Sequence, residues 1–390
     1  MRNFFKIETN ADRIYGLDIL RAAAIMVVLI GHGSVLLPEK YAYIGRMIFS
    51  FDGVSIFFVL SGFLIGGILI KTLEKKRGEK NILLNFWIRR WFRTIPNYFL
   101  ILIILLILNI LFKEGFRFTA KIPLAYFTFS QNLFSPHPGL FPEAWSLSIE
   151  EWFYLLIPLI ISAFMFLKKS VKTSIFYTAF SVLIVVTLFR LYRYNSLPIE
   201  VLSDFKQGQW DSGFRKQVIT RLDALMYGML GAFMQFYYRE YWLKYKKTLL
   251  CLGLFLFLVV KFLINPNVSY GSLYSCVFSF SVISFSTLLL LPFLSDFRGN
   301  NTKLVHKTIT KISLISYSLY LTNQSIVQFW ILDKISWDTI TTNYQVMIFA
   351  RYFLYWFLTI SLSLILYKFF EIPMMNLRDN KKVKKCLRLN

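Results

Sequence analysis

Three ionisable side chains sit in LDILRAAAIMVVLIGHG, residues 17–33, a stretch otherwise apolar enough to cross a bilayer. A charged side chain near the bilayer centre costs about 2.5–3.5 kcal/mol on insertion scales, so Asp18, Arg21 and His32 need a reason to be there. Arg21 and His32 are eleven residues apart. On a helix that spacing returns them to within about 20° of one face, about 16 Å apart along the axis. Asp18, three residues before Arg21, is placed to pair with it. A neutral imidazole takes a proton from an attacking hydroxyl, and a guanidinium offers two parallel donors to an anion. The stretch therefore predicts a polar stripe lining a cavity. Plainer alternatives are a His32 hydrogen-bonded to a neighbouring helix and an Arg21 that snorkels to the interface.

Other stretches carry compatible chemistry. RRWFRTIPNYF, residues 89–99, sets Arg90 and Arg93 one helical turn apart, a spacing suited to phosphate; Pro96 is expected near a helix start. Simple topological charge would give the same pair. GVSIFFVLSGFLIGG, residues 53–67, offers Ser61 and Gly62 on a helix whose small residues admit another helix or a slender ligand. EAWSLSIEEWFYLLIPL, residues 143–159, brings Glu150 and Glu151 into an apolar run beside Trp145, with Ser146 or Ser148 expected to cap the helix. RLDALMYGMLGAF, residues 221–233, drives Arg221 and Asp223 into a span start. His137 reads as a solvated loop residue, and His306 as part of a basic loop with no function. Three scattered cysteines imply neither disulfide nor metal site.

The elements that must position these residues are membrane helices. The 390 residues are 56% hydrophobic and only 17% charged, against about a quarter charged in soluble domains. Runs of about 20 apolar residues predict an all-α polytopic membrane protein with ten spans, near 14–37, 46–70, 95–112, 147–167, 173–192, 219–238, 247–265, 271–294, 312–333 and 344–369. No cleavage site follows the first run, which reads as a retained helix. The organisation is a single transmembrane domain over 1–378 with a basic tail over 379–390.

The net charge of +23 needs no nucleic acid to explain it. Lys and Arg cluster in 71–93, 168–172, 239–247, 298–311 and the tail, together with Arg2, Lys6 and Arg13. With ten spans these all fall on one side, which places both termini in the cytoplasm and leaves a surface for anionic lipids. The exception is 190–221, with six basic residues on the outer side.

In combination, the arginine–ten residues–histidine pattern, FFVLSGFL at 57–64, the Arg90/Arg93 pair before IPNYF, and WSLSIEEWFY at 145–154 resemble the acyltransferase-3 family. RLDALMYGMLGA at 221–232, KISLISYSLYLTNQ at 311–324 and FFEIPMMNLR at 369–378 fit the same pattern in order. This family comprises integral membrane O-acyltransferases that modify bacterial surface polysaccharides. One departure stands out: where the family often has a histidine after SYSLYL, this chain has Thr322, Asn323 and Gln324. Asn323 replaces a hydrogen bond there but not a proton shuttle. The 390 residues also hold no hydrolase-like domain of the kind some members append, so transfer is expected to finish in the membrane or on a separate protein.

The resemblance implies an O-acetyltransferase of the plasma membrane, with acyl-CoA, most simply acetyl-CoA, as donor and a carbohydrate or lipid-linked glycan as acceptor. No permanent cofactor or metal is implied. Arg90 and Arg93 would hold the donor phosphates, with Ser61 and Gly62 along the arm. His32 would be the base, Arg21 and Asp18 its support below, and Glu150 an orienting group. Trp145, Ser148, Glu151, Arg221 and Asp223 would lie on the acceptor side. A covalent acyl-enzyme on a serine or tyrosine stays open at this point. The rival reading is a non-enzymatic transporter of a small anion or lipid-linked sugar, since polar residues in spans mark transport paths too. A lipid-modifying acyltransferase of another membrane fold fits the motif order less well.

Overall fold

In hydrocarbon a chain satisfies its backbone N–H and C=O groups internally, which for these apolar runs means helices. The computed structural model describes residues 13–43, 52–75, 81–112, 121–300, 303–378 and 380, and among them there is no strand. The long helices are α1 (Tyr15–Gly33), α2 (Gly53–Lys75), α3 (Ile82–Phe112), α4 (Ala144–Phe166) and α5 (Val171–Asn195). They are followed by α6 (Leu222–Tyr237), α7 (Lys246–Leu258), α8 (Ser279–Leu294), α9 (Leu304–Thr322) and α10 (Tyr344–Leu366). Arg2, Lys6, Lys76, Arg77, Lys80, segment 113–120 and the tail from Lys381 on fall outside the described residues.

Each of the ten expected spans overlaps one of these helices, the start of the 46–70 run lying outside the described residues. Eight, counted with their π and 3-10 extensions, are long and apolar enough to cross a membrane, as befits a multi-pass membrane protein. The other two are α6, with only 16 residues, and α9, whose first turns carry His306, Lys307 and Lys311.

Contacts fix the relative directions around the site. Ser313 of α9 lies against Asp18, and Asn323, at the end of α9, lies against His32. Hence α1 and α9 run side by side in the same sense. Helix α4 runs the other way, with Glu143 bonded to Ser325 at its start and Ser146 bonded to Tyr320 further along. At Asn323 the α-helical ladder gives way to a π-helical segment, Asn323–Ile331, one of five among the described residues, and another, Tyr367–Glu371, interrupts the last helix. Such turns are rare and concentrate at functional sites.

Two expectations about helix ends are corrected. Pro96 is interior to α3, which begins at Ile82; the arginine pair rides on the same continuous helix that enters the apolar layer. Helix α4 begins at Ala144, so Ser146 and Ser148 are internal, and Glu143 takes the capping position without a side-chain cap. The hydroxyls of Ser146 and Ser148 reach back to the carbonyls of Glu143 and Ala144 instead.

Helices α2 and α6 touch backbone to backbone. A Cβ on Gly62 would stand 1.9 Å from the Leu225 carbonyl oxygen, and one on Gly228 would stand 1.9 Å from the Val59 carbonyl oxygen. Small residues permit this approach, which gains dispersion contact that lipid does not supply. Gly67 on α2 has open space around it. Gly62→Ala is therefore expected to destabilise the bundle by about 1–3 kcal/mol through overpacking. Gly67→Ala should hold or raise stability, since alanine favours helix by about 1 kcal/mol. Thermal unfolding of both variants in one detergent checks this: a lower midpoint for the first and not the second is the expected pair.

Candidate active site

Five helices, α1, α2, α3, α4 and α9, enclose a cavity of about 740 Å³ counting its open mouth. Arg21, Ser61, Arg90, Arg93 and Glu150, separated by up to 129 positions in the chain, all lie on its wall. The electrostatics of the three arginines are unusual for this protein. Most other buried or half-buried arginines of the bundle have acids within 4 Å: Arg13 with Asp18, Arg190 with Asp223, Arg215 with Asp52 and Asp211, Arg221 with Asp52, and Arg351 with Asp333, while Arg193 donates to Gln217 instead. Among the described residues, Arg21, Arg90 and Arg93 have no carboxylate at that distance. Arg90 lies over the Tyr154 ring at 5.1 Å, and its buried Nε has no hydrogen-bond partner.

Glu150 belongs to a short relay rather than an ion pair. Tyr154 donates to its Oε2 at 2.8 Å, and the Tyr154 and Ser61 hydroxyls are 2.6 Å apart. Glu151 points away from the cavity and accepts from Thr94 at 2.6 Å. The cavity's wall is thus hydrogen-bonded across α2, α3 and α4.

His32 is not on the cavity wall. Its Nδ1 lies 2.6 Å from Oδ1 of Asn323, and the Asn323 amide nitrogen donates to the carbonyls of Leu319 (3.0 Å) and Tyr320 (2.7 Å). Both amide hydrogens are therefore used, so Oδ1 is the acceptor and Nδ1–H of His32 the donor. That leaves Nε2 with its lone pair, the tautomer a general base requires. The Gln328 side chain also donates to the His32 carbonyl at 2.7 Å.

The expected Asp18–Arg21 pair is replaced by another. Asp18 takes both Nε (3.0 Å) and Nη2 of Arg13, and Ser313 donates to it at 2.6 Å. The reason is geometric: Arg13 precedes the helix and folds back over its first turn, while Arg21 faces the cavity. Gly62 is likewise displaced from a donor-side role, since the space beside it is filled by the Leu225 backbone.

The residues expected on the acceptor side are sealed in the protein. Trp145 is 4% exposed, edge-on to Phe58 at 6.0 Å and beneath the Arg215 guanidinium at 5.0 Å. Ser148 accepts from Gln131 at 2.5 Å. Asp223 is closed by Arg190 at 2.7 Å and Ser281 at 3.0 Å, and Arg221 by Ser55, Asp52 and the Phe280 ring. These contacts also account for the basic exception at 190–221. Arg190, Lys206, Arg215, Lys216 and Arg221 each meet an aspartate, and Arg193 donates to Gln217. Burial opposes ionisation of Asp211, yet Arg215 and Lys216 hold its carboxyl below the usual range. His137 is not solvated: it lies edge-on to Tyr126 at 5.8 Å, and burial with the Lys216 cation pushes it down to about 3. His306 stacks on Tyr15 at 3.9 Å.

Two buried carboxylates escaped the sequence reading. Glu143 accepts from the backbone N–H groups of Gln324 (3.2 Å) and Ser325 (2.8 Å) and from the Ser325 hydroxyl. It thereby satisfies donors freed where α9 turns π-helical, and so holds Asn323 in place. Glu371, in the π segment that interrupts the last helix, accepts from Ser318 at 2.7 Å. The signal for both was an acid embedded in an apolar run, FPEAW and FFEIP. Among the described residues, no group of three His, Cys, Asp or Glu could hold a metal.

Comparison with known proteins gives the family of the chain. The sequence profile of the acyltransferase domain family matches residues 14–368. O-acetyltransferase OatA of Staphylococcus aureus (strain COL) is 29% identical over 397 residues, covering 95% of this chain and 59% of the relative. Peptidoglycan O-acetyltransferase OatA of Listeria monocytogenes is 33% identical over 181 residues, 43% of this chain and 27% of the relative. The chain thus spans about three fifths of the length of the staphylococcal relatives it matches. No solved structure matches significantly. With the profile covering nearly all of the sequence, this chain is a member of the acyltransferase domain family.

Proposed function

We propose that the protein is a plasma-membrane O-acyltransferase that takes an acyl group from cytoplasmic acyl-CoA and places it on a hydroxyl of a cell-envelope glycan. The observation that carries the donor half is the cavity with three arginines that have no carboxylate within 4 Å among the described residues. A cation in low dielectric is costly unless an anion meets it, and the phosphates of CoA are such an anion. Length supports the same donor. The pantetheine arm has twelve bonds between its phosphate oxygen and sulfur, about 14 Å when extended at backbone-like bond spacing. The axial distance from Arg21 to His32 is about 16 Å. An arm anchored at the arginines therefore spans most of the axial distance towards His32.

The transfer balances with the groups present. The acceptor hydroxyl oxygen attacks the thioester carbonyl while its proton passes to Nε2 of His32. The C–S bond breaks as the ester forms, and the departing thiolate takes the proton back. Asn323 fixes the tautomer throughout, and Glu143 fixes Asn323. The relatives' names motivate the acceptor class, with peptidoglycan given for the Listeria protein. The Lys and Arg asymmetry of the loops supports termini in the cytoplasm and a donor arriving from that side.

Replacing Arg90 and Arg93 together by Gln should weaken acetyl-CoA binding about 100-fold or more, because charge-assisted bonds contribute about 1.5–3 kcal/mol each. Calorimetric titration in nanodiscs reads this directly, and unchanged affinity would reduce the pair to topological charge. Asn323→Leu should leave acetyl-CoA affinity within twofold and lower acetyl transfer to purified muropeptides about 100-fold, since the base then adopts the wrong tautomer freely. Equal turnover in that variant would remove Asn323 from the mechanism.

A further inference from the structure

The donor cavity ends before it reaches His32, and what closes it has a definite chemistry. Along α9 the order from Asp18 to His32 runs Ser313, Ser316, Tyr317, Tyr320, Asn323, with the middle three on the cavity wall. Tyr320 is therefore the last α9 residue of the cavity, one turn below Asn323. On the facing helix α4, running oppositely, Ser146 holds the equivalent place. The Tyr320 and Ser146 hydroxyls are 2.8 Å apart, and each lies within 3.3 Å of the Glu143 carbonyl. Both residues are buried, at 7% and 5% exposure. The Tyr320 backbone is also tied, its carbonyl accepting from Asn323. The cavity wall also includes the apolar side chains of Val54, Phe58 and Leu147; Leu147 follows Ser146 in the chain, and Phe58 lies edge-on to the adjoining Trp145.

We propose that Tyr320, clamped by Ser146, is a specificity-determining residue that limits the donor to a short acyl group. This rests on the acyl-CoA reading above and deepens it. The polar part of the cavity, at Arg21, Arg90 and Arg93, receives phosphate. Beside the bonded Tyr320 and Ser146 hydroxyls, Leu147 and Phe58 offer apolar surface that suits a methyl group. A longer chain must displace a ring whose hydroxyl and backbone are both held, and a packed interior yields to added methylenes only at a cost. A single methylene at a fitted pocket changes selectivity by about tenfold or more.

The test is a set of affinities that needs no acceptor. CoA, acetyl-CoA and butyryl-CoA are titrated into the full-length protein in nanodiscs, for the wild type, Tyr320→Leu, Tyr320→Phe and Ser146→Ala. The wild type should prefer acetyl-CoA to butyryl-CoA by at least about tenfold. Tyr320→Leu should bring that ratio near unity, and Tyr320→Phe, which keeps the ring but loses both hydroxyl bonds, should lower it only part of the way. Ser146→Ala releases the clamp without removing the ring and should lower the ratio part of the way; it serves as the independent variant if Tyr320→Leu fails to insert. Equal wild-type affinities for the two thioesters, or a ratio unmoved by both Tyr320→Leu and Ser146→Ala, would overturn the assignment. A wild type that binds none of the three would instead sink the acyl-CoA reading itself, and with it this proposal.

Discussion

A cation buried in hydrocarbon must meet an anion, and this one constraint sorts the arginines of the bundle. Arg13, Arg190, Arg215 and Arg221 meet aspartates of the same chain, and their pairing ties helix ends together. Removing one partner would strand the other charge at a cost of several kcal/mol, so these pairs are structural. Arg21, Arg90 and Arg93 meet no such acid among the described residues and share one cavity wall. They form no ion pair with those residues, and an anion bound in the cavity would balance their charge.

The same economy of polar groups governs the other end of the site. An α-helix continuing unbroken through Asn323 would use every backbone N–H internally. Where the π-helical segment begins, Glu143 at the start of α4 accepts from the N–H groups of Gln324 and Ser325. The helix break, the carboxylate and the Asn323–His32 bond are therefore one arrangement. Two parallel helices, α1 and α9, are pinned at Asp18–Ser313 below and at His32–Asn323 above, and the cavity opens between the pins.

Much of this was legible in the sequence, because hydrocarbon imposes simple rules. Apolar run length gave each long helix, and polar residues inside those runs singled out Arg21, Ser61, Arg90, Arg93 and Glu150, which share the cavity. What stayed hidden depends on contacts distant in sequence or on choices among near neighbours. Asp18 had Arg13 and Arg21 at similar spacing, and only the fold decides between them. Gly62 looked the same whether it admitted a ligand or the Leu225 backbone. Pro96 is tolerated inside α3, where a sequence rule puts it at an end. Trp145, Arg221 and Asp223 carried the right chemistry for an acceptor but are buried against partners within the protein. Asn323 was noticed as a substitution for histidine, yet its bond to His32 spans 291 positions and leaves no local trace.

The central claim is that binding and chemistry reside at two levels of one bundle: arginines that hold the donor, and His32 about three turns away that moves the proton. Purified His32→Ala in nanodiscs separates them, with acetyl-CoA affinity by calorimetry and acetyl transfer to muropeptides measured on the same preparation. The account predicts wild-type affinity with transfer reduced at least about 100-fold, the usual contribution of a general base. Transfer at the wild-type rate, with affinity intact, would contradict it.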